Sequence, residues 1–524
     1  MKKALMFLCV LSLAIVVSAK PKASVSVLRF DPMAGETRVL TMPDGSEVHY
    51  TAYECLYFVT HVEDSAYQFM NVYVPEGASQ QTPIFLRTYV GGYMASAAGQ
   101  PQAGDASGRA LKEGYVVVIP GSRGRNSTIT ATRNDKKKGI KKGQTIYTGR
   151  APAAILDLKA AIRYLRHFDD VMLGDAERII TDGTSAGGAM SSLMGATGNN
   201  PAYEPMLKVM GAADERDDVF ASVCYCPIID LDHADMAYEW LYNGTDSRQQ
   251  GDADVLAVSN ELKAQFPAYL ESLQLHTPNG TLLTADNYLD FIKSELIRSA
   301  KLAKDAGADI ADSLGFRFSE EASFGAPPIN GGMTQMEVGR GLRPQANKPL
   351  MMTRPGGSRR VGEYIIDLDM DKYLNYVVST QPLKTAPAFD TQGVIGQKAS
   401  GENEEFGDSK GSSVNFTIYA AVKAGTILNP EVADRSYLMN PMNFIGDGLS
   451  DVAQYWYIRH GARDRDTAFP VPINLALKLQ NAGVDVNFLL SWNRPHSGDY
   501  ALDELFRWVE SVLGQNDSAG AAGR

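Results

Sequence analysis

The stretch that decides the fold is IITDGTSAGGAM, residues 179–190, in which Ser185 follows an apolar, β-branched run and is surrounded by small residues. The pattern Gly183-x-Ser185-x-Gly187 between a strand and a helix is that of a nucleophile elbow, a strained turn that holds a serine at the end of a strand. Side chains two positions to either side would collide with the strand and helix that the turn joins. The N–H groups at the start of the helix are free to bind a developing oxyanion. The alternative interpretation is a tight turn whose serine only caps the helix.

Short apolar runs surround this stretch, and helical patterns separate them. The runs do not alternate with polar residues, which is typical of strands buried on both faces of a mostly parallel sheet. Helical spacing occupies 105–113, 151–168 and the segment after Ser185. Strands that alternate with helices predict an α/β, doubly wound unit. The predicted strands of this unit are PIFLRTYV (83–90), GYVVVIP (114–120), ERIITDG (177–183) and VFASVCYC (219–226). Upstream strands are predicted at SVSVLRF (24–30), TRVLTM (37–42), ECLYFVT (54–60) and QFMNVYV (68–74).

The alternation of strands and helices stops after about residue 231. Helical and loop-like patterns dominate until strands resume at QYWYIRHG (454–461) and VDVNFLLSW (484–492), with helices at about 470–482 and 499–513. The simplest explanation is one α/β domain with a large insertion. The predicted organisation is an α/β domain in two parts (20–231 and 436–514), an inserted cap between them (232–435), and a flexible tail (515–524).

The first 19 residues have the pattern of a signal peptide. Lys2 and Lys3 precede an apolar run over 4–17, and Ser18-Ala19 forms a small-residue cleavage site. This pattern predicts cleavage after Ala19 and export to the periplasm or the outside of the cell. The alternative is an uncleaved membrane anchor, but the run is shorter than the roughly 20 residues that a span needs. The mature chain is therefore not expected to bind a membrane.

Charge and cysteine content exclude several classes of function. The formal charge is −11, or −13 without Lys2 and Lys3, and an acidic chain with no basic domain is a poor candidate for binding nucleic acid. Cleavage leaves three of the four cysteines, Cys55, Cys224 and Cys226. This odd number argues against a disulfide framework. The sequence has neither paired CxxC motifs nor HExxH, so no metal site is predicted.

A serine nucleophile needs a base that a third group orients, and the sequence supplies both in the expected order. In folds with this elbow, the acid and then the histidine follow later strands. Asp464 follows the strand at 454–461, and His496 follows the strand at 484–492. The 32-residue interval between them accommodates one helix and one strand. Asp466 competes with Asp464, which we favour because it lies at the usual depth after the strand.

The remaining histidines are less suitable because they lie in upstream strands, at element ends, in the cap or before the acid. Two backbone N–H groups are predicted to bind the oxyanion. One belongs to Ala186, directly after the serine. The other comes from TYVGGYM, where Gly91 and Gly92 lack side chains that would keep the backbone from a substrate, and we favour Gly92.

These motifs together resemble those of bacterial tannases, the tannin acyl hydrolases of the α/β-hydrolase superfamily within the wider tannase and feruloyl esterase group. The resemblance rests on GTSAGGAMSS (183–192), YCPIIDLDHADMAYEW (225–240), the long insertion, DRD (464–466) and PHSGD (495–499), and it covers most of the mature chain. It implies an α/β-hydrolase fold with a large inserted cap. It also implies hydrolysis of galloyl esters and depsides by a Ser-His-Asp triad through an acyl-enzyme, without a cofactor.

The resemblance further implies which residues bind the three hydroxyls of a gallate ring. They are Asp466, Lys384 in PLKTAPAFD and Glu402 in SGENEEFG, with Ile228 packed on the ring face. Carboxylates and an ammonium match adjacent phenolic hydroxyls, and an apolar side chain covers the ring. Such a site rejects analogues that lack the hydroxyls, because its polar groups are then left unpaired. Two neighbours are alternatives for the role of Glu402: Glu404 and Glu405.

Three other functions remain open at the level of sequence. The chain is alternatively a feruloyl or other phenolic-ester carboxylesterase, a non-catalytic protein that binds polyphenols or glycans on a hydrolase scaffold, or a peptidase. The intact order of serine, acid and histidine argues against a pure binding protein, and no propeller or basic cap indicates a peptidase. The expected partner is a small phenolic ester. The sequence predicts no oligomeric state.

Overall fold

The structure is a computed structural model that describes residues 26–134, 136, 139–319 and 364–522. The predicted signal peptide lies outside these residues, as does the part of the predicted cap over 320–363. None of the helices in the described part of the chain is both long and apolar enough to cross a membrane.

A nine-stranded sheet forms the centre of the molecule. In chain order, the strands are β1 Glu36–Thr41, β2 Glu47–Tyr57, β3 Phe69–Pro75, β4 Pro83–Arg87, β5 Val116–Pro120, β6 Thr128–Thr130, β7 Thr145–Tyr147, β8 Asp175–Thr184, β9 Ala221–Tyr225, β10 Phe316–Ser319, β11 Tyr364–Leu368, β12 Tyr455–Gly461 and β13 Asp485–Ser491. The order across the large sheet is β1-β2-β3-β5-β4-β8-β9-β12-β13. Strands β5, β4, β8, β9, β12 and β13 are parallel, and β1 to β3 form an antiparallel extension. The pairs β6–β7 and β10–β11 form separate two-stranded sheets.

Helices connect these strands and build the inserted region. They are α1 Ala106–Lys112, α2 Ala153–His167, α3 Ala186–Ala196, α4 Glu204–Met210, α5 Leu231–Tyr242, α6 Asp246–Gln249, α7 Ala253–Lys263, α8 Phe266–Ser272, α9 Tyr288–Asp305, α10 Met370–Thr380, α11 Gly401–Glu405, α12 Ile418–Lys423, α13 Pro430–Leu438, α14 Pro470–Asn481 and α15 Leu502–Ala522. Short 3₁₀ helices span Asp312–Leu314, Val394–Gly396 and Pro441–Asn443.

The strands are apolar along their whole length because a hydrophobic core lies on each face of the sheet. Phe85 and Val117 belong to a core that α1 and α15 cover, whereas the adjacent Leu86 and Val118 belong to a larger core that α2, α3 and α14 cover. Successive side chains of a strand point to opposite faces, so both must be apolar. The mostly parallel, doubly wound fold is confirmed.

The inserted region packs on the larger core and is continuous with it. Tyr288 and Phe291 of α9 belong to the same buried apolar cluster as Ile473 of α14. The hydroxyl of Tyr373 on α10 donates to the carbonyl of Ala462 at 2.7 Å. Apolar burial and polar contacts together therefore hold the insertion on the α/β domain. The domain boundaries themselves stay a prediction.

Four local predictions from sequence differ from the structure. Residues 26–30, the described part of SVSVLRF, form no strand, and β2 begins at Glu47 rather than at residue 54. The antiparallel pair β10–β11 lies in a region predicted to be helical or loop-like. The backbone of 515–522, predicted as a flexible tail, continues helix α15, because buried residues at helical spacing anchor that helix and alanine is a strong helix former.

Candidate active site

Ser185 lies in a strained turn between β8 and α3. Its φ of 62° falls in the left-handed region, which non-glycine residues rarely adopt. The next strand supports the turn, because Ser185 N–H donates to the carbonyl of Tyr225 at 2.9 Å. A Cβ on Gly183 would lie 2.2 Å from the carbonyl oxygen of Gly187, so the turn closes only without that side chain. A Cβ on Gly187 would lie 2.8 Å from the carbonyl oxygen of Val90, so close packing requires both glycines that flank the serine.

A chain of hydrogen bonds joins Ser185 to residues that follow β12 and β13. His496 Nε2 is 2.8 Å from Ser185 Oγ, and His496 Nδ1 is 2.7 Å from Asp464 Oδ2. The three strands concerned are parallel, so their carboxyl ends meet at one edge of the sheet. A carboxylate beside Nδ1 favours the tautomer in which Nδ1–H donates to Asp464 and Nε2 accepts from the serine hydroxyl. This arrangement allows His496 to remove the hydroxyl proton.

The electrostatics keep Asp464 ionised beneath the imidazole. Burial raises the pKa of Asp464, but the charges of His460 and His496 and the hydrogen bonds from His496 and from Asp466 N–H, at 2.8 Å, together outweigh burial. The resulting pKa is about 2. Burial lowers the pKa of His496, whereas the hydrogen bond and charge of Asp464 and the charge of Asp466 raise it, and the net pKa lies above its usual value. The carboxylate therefore favours proton transfer to His496.

The two predicted oxyanion donors follow neighbouring strands, β8 and β4. Ala186 is the first residue of α3, so its N–H has no acceptor within the helix. Gly92 has a φ of 55°, and its carbonyl accepts from Arg125 Nε at 2.8 Å. The adjacent Tyr93 donates its hydroxyl to the carbonyl of Ile228 at 2.6 Å and ties this loop to the segment after β9. The buried Ile228 lies beside the nucleophile turn, since its N–H donates to the carbonyl of Ser185 at 3.3 Å.

The charges of Glu402 and Asp466 act on Lys384, and those of Asp466 and Lys384 act on His496. Burial lowers the pKa of Lys384, and the charges of Glu402 and Asp466 are the largest effects that raise it. The ammonium lies 3.9 Å from the centre of the Phe389 ring, and its charge acts to lower the pKa of His496. Charges from the insertion (Glu402) and from the loop after β12 (Asp466) thus both act on Lys384.

The three glutamates on and around helix α11 have different surroundings. Glu402 is half-buried, and its charge acts on Lys384. Glu404 is paired with Arg125. Glu405 is buried with no hydrogen-bond partner for either carboxylate oxygen among the described residues, and burial raises its pKa to about 8. Of the three, only Glu402 is among the largest charges that act on Lys384, and its role in binding a ligand stays a prediction.

Solved structures include several that this chain closely resembles. The tannase of Fusobacterium nucleatum is 34% identical to it, with a TM-score of 0.75 and coverage of 93% of this chain and 100% of that one. The tannin acyl hydrolase from Lactobacillus plantarum is 35% identical, with a TM-score of 0.75 and coverage of 92% and 98%. A tannin acyl hydrolase in complex with ethyl gallate is 35% identical, with a TM-score of 0.74 and coverage of 92% of this chain and 98% of that one. The chain belongs to the tannase family.

Two further comparisons accompany this assignment. A family model described as BD-FAE matches residues 144–265 of the chain, a range that contains the nucleophile turn. Among curated protein sequences, no significant match was found. As a member of the tannase family, the protein is an α/β-hydrolase and an ester hydrolase, which confirms the predicted fold and reaction class.

Within the described part of the chain, two clusters contain side chains of types that bind metal ions. Hydrogen bonds already engage both clusters. In one, Cys226 donates to the carbonyl of Ser497 at 3.2 Å beside the bonded His496–Asp464 pair. In the other, Asp230 accepts from Asn440 at 2.8 Å. The clusters are Cys226, Asp464 and His496, and Asp230, Asp232 and His233.

Sequence analysis missed Cys226 and Arg125 as neighbours of the site. The motif YCPIID contains Cys226 directly after β9, which is a signal of proximity to the catalytic edge of the sheet. Arg125 follows β5 in a loop with no recognisable motif, so no feature of the sequence indicated its contacts with Gly92 and Glu404.

Proposed function

We propose that this member of the tannase family is a serine esterase that hydrolyses galloyl ester and depside bonds of tannins. The observation that carries the proposal is the hydrogen-bonded chain from Ser185 through His496 to Asp464, at distances of 2.8 and 2.7 Å. The charged environment of Lys384 and Glu402 beside this chain supports a phenolic substrate. The related structures that hold ethyl gallate and 3,4-dihydroxybenzoate support the same class.

The reaction follows from the order of these groups. His496 takes the hydroxyl proton while Ser185 attacks the ester carbonyl, and Asp464 stabilises the imidazolium. The N–H groups of Ala186 and Gly92 bind the negative oxygen of the tetrahedral intermediate. The intermediate collapses to an acyl-enzyme, and His496 returns the proton to the departing alcohol. A water molecule that His496 deprotonates then attacks the acyl-enzyme and releases the acid.

Recognition of the galloyl group is assigned to the charged residues beside His496. Lys384, Glu402 and Asp466 bind the three adjacent hydroxyls, and Ile228 covers the ring face. A methyl ferulate ring has only one free hydroxyl, so it leaves these charged groups incompletely paired. The protein is therefore expected to prefer methyl gallate to methyl ferulate. A feruloyl esterase would show the opposite order of kcat/KM.

Export is part of the proposal. The chain begins with the n-region, apolar run and cleavage site of a signal peptide, which supports a periplasmic or extracellular enzyme. N-terminal sequencing of the protein secreted from a bacterial host is expected to begin at Lys20. An N-terminus at Met1 in an exported or membrane fraction would contradict this part.

The nucleophile is tested with Ser185→Ala. We expect kcat for methyl gallate to fall at least about a thousandfold, because the remaining groups no longer form an acyl-enzyme. The far-ultraviolet circular dichroism of the variant should match that of the wild type. A variant that keeps more than about a tenth of the wild-type kcat would contradict the proposal.

The recognition of hydroxyls is tested by comparing Glu402→Gln with Glu404→Gln, a matched change two residues away. Loss of a charge-assisted hydrogen bond costs about 1.5–3 kcal/mol, so KM for methyl gallate should rise about tenfold or more in Glu402→Gln. Methyl benzoate, which has no ring hydroxyl, should be hydrolysed at similar rates by both variants. Equal effects of the two substitutions on methyl gallate would contradict the role of Glu402.

A further inference from the structure

We propose that Arg87 is a positioning residue that clamps the loop carrying His496 onto the strand carrying Ser185. This inference rests on the proposed function, because it explains how the base is kept beside the nucleophile. It also gives a role to the last residue of the PHSGD motif, Asp499, which the reaction itself does not use.

Arg87, at the end of β4, pairs with two carboxylates from the two parts of the α/β domain. One guanidinium nitrogen pairs with Asp182 on β8, and the other donates to Asp499 Oδ2 at 2.6 Å. Asp182 lies three residues before Ser185, and Asp499 lies three residues after His496. The guanidinium therefore joins the two chain segments that bear the nucleophile and the base.

The burial of these groups makes the connection rigid. The side chains of Arg87 and Asp182 are 4% and 0% exposed, and Asp499 is 25% exposed. Removing one partner from a buried set of charges leaves the others without compensation, so the three groups hold one another in a single arrangement. Asp499 also accepts from the N–H of Ala106 at 3.3 Å, which attaches the loop to the start of α1.

Two glycines show how closely the loop packs on the neighbouring strands. A Cβ on Gly498 would lie 1.9 Å from Thr184 Oγ1, so any side chain at this position collides with the side chain of Thr184. On the opposite side, a Cβ on Gly461 of β12 would lie 2.2 Å from the carbonyl oxygen of Arg494. The loop is thus confined between β8 and β12, and the Arg87–Asp499 pair closes it on the β8 side.

The test compares Asp499→Asn with Glu204→Gln. The Arg163–Glu204 pair is a matched control, since its 2.7 Å distance and its exposed fractions of 7% and 31% are close to those of Arg87–Asp499. For methyl gallate, we expect Asp499→Asn to lower kcat by more than about tenfold with KM changed less than about twofold, because a small displacement of the base costs rate rather than binding. Glu204→Gln should keep kcat within about twofold of the wild type.

A second readout separates this inference from the choice of substrate. Diisopropyl fluorophosphate labels an activated serine without any need for galloyl recognition, and its rate constant should fall in Asp499→Asn in parallel with kcat. If the wild type is labelled but does not hydrolyse methyl gallate, the proposed substrate fails while the labelling rates still test the clamp. Labelling of Asp499→Asn within about twofold of the wild type, or an equal loss in Glu204→Gln, would overturn the inference.

A steric variant tests the same inference without changing any charge. Gly498→Ala is expected to push the loop away from Thr184 and to lower kcat and the labelling rate as Asp499→Asn does. Adding Thr184→Gly removes all the Thr184 atoms within 3 Å of the new methyl group, and it should restore part of both rates. A double variant no faster than Gly498→Ala would contradict the clamp.

Discussion

Two opposing sets of charges act on the imidazole of His496. Asp464 and Asp466 raise its pKa, whereas burial and the ammonium of Lys384 lower it, and the net value is above 6.5. His496 accepts the serine proton only when it is neutral. Activity is therefore expected to be complete above this pKa and to be lost as the pH falls through it.

The loss of activity at low pH is the acid limb of the pH–activity profile. Removing a negative charge near His496 and removing a positive one should shift this limb in opposite directions. Asp466→Asn removes a charge that raises the pKa, so the limb shifts to lower pH, whereas Lys384→Met removes a charge that lowers it, so the limb shifts to higher pH. The measurement is kcat/KM against pH with p-nitrophenyl acetate, which has no ring hydroxyl for these residues to bind. Shifts in the same direction would contradict the electrostatic arrangement.

The β8–turn–α3 element depends on close backbone packing rather than on specific side chains. The carbonyl of Gly187 occupies the space that a side chain on Gly183 would need. A buried steric conflict between backbone groups cannot be relieved by a rotamer change, so the turn itself must open.

Gly183→Ala should therefore reduce both stability and activity. Overpacking costs about 1–3 kcal/mol of unfolding free energy, and the shifted turn should withdraw Ser185 from His496. Gly104→Ala is the control, because a Cβ there meets no atom within 4 Å and the backbone has no positive φ. The thermal unfolding temperature and kcat for methyl gallate should both be lower in Gly183→Ala than in Gly104→Ala. Equal values in the two variants would contradict the steric explanation.

At the scale of the whole molecule, a partly buried polar cluster connects the inserted region with the α/β domain. His233, near the start of α5, is 2.8 Å from Asp230, and Tyr269 of α8 stacks on its ring at 3.8 Å. Asn440, after α13, donates to both Asp230 and Asp232 at 2.8 Å. Elements that are distant in sequence thus meet around one histidine.

The charge on His233 should make this connection pH-dependent. Burial alone would lower its pKa, but the charge and hydrogen bond of Asp230 outweigh burial and raise it from 6.5 to about 10. A pKa that is higher in the folded state stabilises the fold fully below pH 6.5, and this contribution is lost as the pH rises toward 10. Urea unfolding at pH 6, 8 and 10 should therefore show the free-energy difference between wild type and His233→Gln shrinking with pH. A constant difference would contradict the assignment.

The local sequence predicted the site because each of its parts is a short-range feature. Glycines around Ser185, an aspartate after one strand and a histidine after another are visible within a few residues, and parallel strands bring their carboxyl ends together by topology. Asp464 and His496 lie within hydrogen-bonding distance because both follow parallel strands of the same sheet. The environment of Glu402 relative to its two neighbours depends on the direction of each side chain around α11, which spacing alone does not give.

The sequence by itself determined the doubly wound sheet, the strained turn and the order of the three hydrogen-bonded residues, because apolar runs and glycine positions are local consequences of burial and backbone geometry. Only the tertiary structure decided that Arg87 joins Asp182 to Asp499, and that the insertion shares a core with the α/β domain. These contacts join residues separated by up to 412 positions. Their partners are selected by three-dimensional packing and by the need to pair buried charges, and neither leaves a periodic signal in the chain.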